Sequence, residues 1–76
     1  MVHLNSGALQ ALPEDNDALI PAGEASRFVG IATQTLARWR HEGGGPQFVK
    51  LGRLVFYRAG DLRSFIRART RVNTGA

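Results

Sequence analysis

Apolar positions recur along this chain in two different rhythms. Ala25, Phe28 and Val29 stand three and four residues apart, the spacing of one helix face, and Leu36 and Trp39 repeat the three-residue step. From Phe48 the step changes to two: Phe48-Val49-Lys50-Leu51 and Leu54-Val55-Phe56-Tyr57 flank Gly52-Arg53, as the strands of a hairpin flank its turn. Helical spacing then returns at Leu62, Phe65 and Ile66. The pattern predicts a helix over 22–29, a second helix from about Thr33, a short hairpin, and a last helix over 61–68.

Local punctuation sharpens these limits. Pro21 suits a helix start, where its missing N–H costs nothing, and Glu24 complements the dipole of the first turn. Gly30 ends the first helix as a residue tolerant of positive φ, and Thr33 is expected to cap the second, a task for which Ala32 has no side-chain acceptor. Gly43-Gly44-Gly45-Pro46 stops the second helix. Gly60 or Asp61 is the expected cap of the last. Leu19 and Ile20 open the domain, so the chain divides into a disordered acidic arm (1–18), one domain (19–68) and a basic flexible tail (69–76). A brief helical turn over 8–12 is open to the arm if a partner covers Leu9 and Leu12.

Charge changes the picture most. Residues 1–26 hold four carboxylates and no Lys or Arg, whereas residues 27–76 hold all ten basic side chains against Glu42 and Asp61. Such segregation calls for a polyanionic partner. Nucleic acid fits better than a membrane surface, because no basic amphipathic helix with a broad apolar face is present. A merely solvated basic surface is the plain alternative. At 76 residues the chain makes one small core, worth less than about 5 kcal/mol of net stability.

The remaining chemistry is narrow. With no cysteine and two histidines, His3 and His41, neither a disulfide nor a zinc site is expected. The glycine run lacks the strand before it and the Lys-Ser/Thr after it that a phosphate loop needs, and no nucleophile-base-acid set or acidic cluster assembles. The expectation is no enzyme activity and no cofactor. No apolar run approaches the length of a membrane span, and the first residues lack signal-peptide features, so a cytoplasmic location is expected.

Two short helices broken at Gly30 have the layout of a helix-turn-helix, whose second helix reads the major groove. On its outer side lie Gln34, Ala37, Arg38 and His41. Gln34 has the geometry to pair with adenine and Arg38 with guanine, although phosphate contact suits Arg38 equally well. Thr33 and Thr35 carry hydroxyls for phosphates at the helix start, with capping the competing role for Thr33. His41 is either a DNA contact or a dipole-compatible helix end. Trp39 is inward by phase. Lys50, Arg53 and Arg58 surround the hairpin, where long cations reach phosphate or the minor groove, and Arg67, Arg69 and Arg71 can trail along a backbone. Leu54 and Phe56 alternate against Val55 and Tyr57, which leaves two readings: the arm covers them, or they contact another copy or a partner protein, a recombinase if the resemblance given next holds.

In order, Glu24-Ala25-Ser26, Gly30-Ile31, Thr35-Leu36-Ala37-Arg38-Trp39, Gly45-Pro46, Lys50-Leu51-Gly52-Arg53, Val55-Phe56-Tyr57-Arg58 and Asp61-Leu62 resemble the winged helix-turn-helix domains of the MerR-like superfamily. Within it they most resemble the excisionases of phages and mobile elements, across residues 19–68. The chain departs from that pattern at Ala32, Gln34, Leu54 and Phe56. The resemblance implies a mainly α fold with a two-stranded wing. It also implies a recombination directionality factor that bends attachment-site double-stranded DNA, in neighbouring copies, to help a tyrosine or serine integrase excise. A small regulator of mobile-element transcription is the alternative, and a protein-interaction adaptor built on Leu54 and Phe56 a third.

Overall fold

The computed structural model describes residues 12–70. In chain order these form β1 (Leu19–Pro21), α1 (Ala22–Val29), α2 (Thr33–Glu42), β2 (Val49–Leu51), β3 (Leu54–Arg58) and α3 (Ala59–Arg69). The result is a mixed α/β unit, three helices on a three-stranded antiparallel sheet of order β1-β3-β2. The expected helices and hairpin are present, and the expectation of a mainly α fold with a two-stranded wing is corrected by β1, which adds a third strand. β1 pairs Ile20 with Tyr57 and Leu19 with Arg58, which makes β3 the central strand.

Strand pairing sorts the side chains by face, because directly opposed residues project to the same side. Ile20, Val55 and Tyr57 turn toward the helices, while Leu19, Leu51, Leu54 and Phe56 lie on the other side. Ile20, Ala25, Tyr57, Ala59 and Leu62 form the core together with Leu12, and Phe28, Val29 and Val55 pack on its margin. The inward stripe Ala25, Phe28, Val29 is therefore observed as expected. Leu62 is fully buried, whereas Phe65 and Ile66 are half-buried.

Gly30 and Gly52 mark the two tight reversals. At the end of α1, Gly30 takes φ 73°, and the N–H groups of Gly30 and Ile31 both reach the Ser26 carbonyl, at 2.9 and 3.2 Å. Ser26 fastens the same turn a second time by donating its hydroxyl to the Ile31 carbonyl at 2.5 Å. In the hairpin Gly52 has φ 62° and Arg53 a negative φ, the pattern of a two-residue type II′ turn between Leu51 and Leu54.

Neither expected side-chain cap forms. Ala32 occupies the cap position of α2 in extended backbone, φ −58° and ψ 145°, so Thr33 is already the first helical residue and its hydroxyl caps nothing. α3 starts two residues earlier than its periodicity indicated, with Arg58 rather than Gly60 or Asp61 at the cap. The physical reason lies upstream. The first amides of α3 have no partner within their own helix. They are met by carbonyls from the segment before β1: Ala59 N–H donates to Ala18 and Gly60 N–H to Asn16, both at 2.9 Å.

That segment belongs to the fold. Leu12 is buried in the core, Asp17 N–H and Ala18 N–H close a turn on Asp15, and Arg63 donates to the carbonyls of Leu12 and Pro13 and to Asn16 Oδ1. Residues 12–18 thus pack on α3, outside the domain limit of 19 that composition indicated. The rest of the expected arm (1–11) and most of the tail (71–76) lie outside the described residues.

Two glycines test this seating. A Cβ on Gly60 falls 2.8 Å from Asn16 Cβ and 3.1 Å from the Asn16 carbonyl oxygen, whereas one on Gly23 in α1 meets nothing within 4 Å. Gly23→Ala should raise the unfolding free energy by about 0.5–1 kcal/mol through helix propensity alone. Gly60→Ala gains the same propensity but overpacks against residue 16, and should lower stability by about 1 kcal/mol. Urea midpoints moving in the same direction for both variants would show that residues 12–18 do not brace α3.

Candidate nucleic-acid interface

α2 is fastened to the molecule chiefly along its inner side. Its backbone packs closely against α1. Leu36, 1% exposed, is its buried anchor. Half-buried Trp39 meets the ring of Phe65 at a centroid distance of 6.0 Å and 49°. Gly45 presses on the same indole, where a Cβ would come within 2.9 Å of Trp39 Cβ. Arg69 lies 3.9 Å from the Phe65 ring centroid and donates to the Gly44 carbonyl at 2.8 Å, so α3 also holds the loop that leaves α2. Trp39 is a packing residue, as its phase indicated.

The outer side of α2 is left bare. Thr33, Gln34, Arg38 and His41 are exposed, while Thr35 and Ala37 are half-buried. Arg38 Nε stands 3.8 Å from Glu42 Oε1 on the next turn, with both side chains about two-thirds exposed (60% and 65%), a solvated pair of small energetic worth. Arg38 is therefore free to exchange this partner for another.

The hairpin supplies a second basic element. Arg53 sits in the exposed turn, and Lys50 lies on the exposed edge strand β2 opposite Val55, on the face turned toward the helices. Arg58 is exposed too, but it pairs with Leu19 at the end of β3 remote from the turn, on the opposite face. The fold thus separates Arg58 from Lys50, two residues that a linear reading groups together. Between residues 25 and 60 the only carboxylate is Glu42, and Asp61 of α3 stands beside Gly45, Pro46 and Gln47 in the loop that joins α2 to the hairpin.

Arg40 connects the two elements and was not among the expected site residues. It extends from α2 to donate from Nη1 to the Tyr57 hydroxyl at 2.7 Å. Its guanidinium carbon lies 5.9 Å from the ring centroid of Phe48 and 6.0 Å from that of Tyr57. The one available sequence signal was a basic residue on the same helix next to an inward Trp; its partners lie 8 and 17 residues further on, beyond the reach of helix periodicity.

On the other side of the sheet, Leu54 is 63% exposed and Leu51 opposite it 52%, while Phe56 is half-buried between Val49 and Pro21. Leu12, the described apolar residue of the arm that is buried, packs with the core on the helical side. Among the described residues no three His, Cys, Asp or Glu side chains converge as metal ligands, and no helix is long and apolar enough to cross a membrane. Comparison with protein-family models, with curated proteins and with solved structures finds no significant match.

Proposed function

We propose that this chain is a DNA-binding domain of the winged helix-turn-helix kind, with α2 as the recognition helix and the β2–β3 hairpin as the wing. The observation that carries the reading is that two elements linked through Arg40 both expose groups able to meet DNA, Gln34, Arg38 and His41 on α2 and Lys50 and Arg53 on the hairpin, with Glu42 the single carboxylate on either. A helix of this size fits the major groove, and a cationic hairpin beside it reaches phosphates or the minor groove. Thr33, at the first helical position with its hydroxyl uncommitted to capping, is available to a phosphate.

The role we favour is that of an excisionase, a recombination directionality factor that bends attachment-site DNA so that an integrase excises a mobile element. Support for that role is the ordered motif set across residues 19–68. One helix and one small wing bury little surface, so several copies on linked sites would share the work. A regulator of mobile-element promoters would use the same surface. Footprinting over an attachment-site region separates the two: protection there together with stimulated excision supports the first, and protection confined to a promoter supports the second.

The wing has its own test. Arg53→Ala should weaken binding to random and selected duplexes alike and make the dependence of log Kobs on log salt shallower by about 0.9, the loss of one phosphate contact. An unaltered slope would take the hairpin tip out of the interface. Exposure of Leu54 favours a second reading, a protein-interaction adaptor. In that case Phe56→Ser abolishes activity while Arg38→Ala leaves it intact.

A further inference from the structure

Arg40 is half-buried in the last turn of α2, where the helix dipole favours a cation but supplies only a partial charge to answer it. A guanidinium has five N–H donors in a rigid fork, and the structure commits one of them, to Tyr57. No carboxylate of the described residues lies within ion-pair distance of it; the one ion pair among them joins Arg38 and Glu42. Tyr57 is wholly buried and Phe48 is 41% exposed, so the cradle has a fixed floor and an open side. The Phe48 ring and the Tyr57 hydroxyl offset part of the cost of drawing a cation out of water, but neutral groups do not balance a full charge.

What completes such an arrangement is an oxyanion, and the fork of a pre-oriented guanidinium matches two oxygens of one phosphate. We infer that Arg40 is a pre-set phosphate-binding residue that takes a DNA phosphodiester in the crease between α2 and the hairpin. Phe48 and Tyr57 hold the guanidinium in place before DNA arrives, so little side-chain freedom is lost on binding. The site would also key the hairpin to α2, because the residue that grips the phosphate is hydrogen-bonded to the central strand. This inference rests on the DNA-binding reading above and adds to it a contact that neither exposed face supplies.

The test is a salt titration of the full chain against a fluorescein-labelled 20-base-pair duplex of random sequence, with Arg40→Gln, Arg40→Lys and wild type compared under conditions where each is folded. Arg40→Gln should bind about tenfold more weakly at low salt and lose about 0.9 from the slope of log Kobs against log salt, while Arg40→Lys keeps the wild-type slope. A purely structural Arg40 would alter melting and leave the slope unchanged in Arg40→Gln, which overturns the inference and leaves DNA binding standing; equal slope loss in Arg40→Lys overturns it too. If wild type shows no salt-dependent binding, both readings fall together. Should Arg40→Gln not fold, the Nε–Hε resonance of Arg40 in the wild-type protein decides: it shifts on addition of the duplex if the inference holds, and stays in place if it does not.

Discussion

Replacing Leu36 by alanine is expected to cost about 2–5 kcal/mol, enough to leave much of a domain this small unfolded at room temperature. Leu36 is the buried residue of α2, at 1% exposure. Truncation removes three buried carbons and leaves a cavity that only partial collapse can fill. α2 has few other places to hold on, since its neighbours in sequence are exposed or half-buried and its remaining anchors are Trp39 on Phe65 and Arg40 on Tyr57. Loss of Leu36 should therefore loosen the helix that carries the candidate interface as well as the domain. A urea midpoint within experimental error of wild type would contradict the packing described for α2.

Arg38→Ala is expected to weaken binding to a duplex selected for high affinity by about 1–3 kcal/mol, if the side chain reads a base, with relaxed preference at one position and little change on random DNA. Its existing partner does not oppose this. The contact with Glu42 is long and solvated, so it gives way readily to a guanine edge or a phosphate. Equal losses on selected and random duplexes would reassign Arg38 to phosphate, and no loss on either would remove the outer side of α2 from the reading.

Elements with strong periodicity or strong punctuation were legible before the structure. Ala25, Phe28 and Val29 placed α1 with its correct limits, Gly30 its end, and Gly52-Arg53 the hairpin turn, because each depends on residues within a few positions of one another. β1 was not legible. Leu19-Ile20-Pro21 is too short to show alternation and ends on a residue that marks a helix start equally well, and its strand character comes from pairing with β3 almost forty positions later. The cap expected for α3 failed for the same reason: the amides of α3 are satisfied by Asn16 and Ala18, whose backbone carbonyls carry no sequence signature.

The candidate site divides along the same line. Exposure of Gln34, Arg38 and His41 follows from helix phase, and that of Arg53 from its place in a turn. The role of Arg40 is set by tertiary partners, Phe48 and Tyr57, which helix phase does not reveal. Arg58 was grouped with Lys50 by nearness to the hairpin, but strand alternation and register put it on the opposite face.

The central claim is that the basic faces of α2 and the hairpin bind the DNA backbone and bases together. Fluorescence anisotropy of the wild-type chain on a labelled duplex, repeated from about 50 to 200 mM salt, tests it most directly. Contacts from Arg38, Arg40, Lys50 and Arg53 predict a linear fall of log Kobs with log salt at a slope of about −3 to −4. Absence of binding at about 100 μM protein in the lowest salt, the weak limit of the usual range of non-specific affinities at physiological salt, would contradict it.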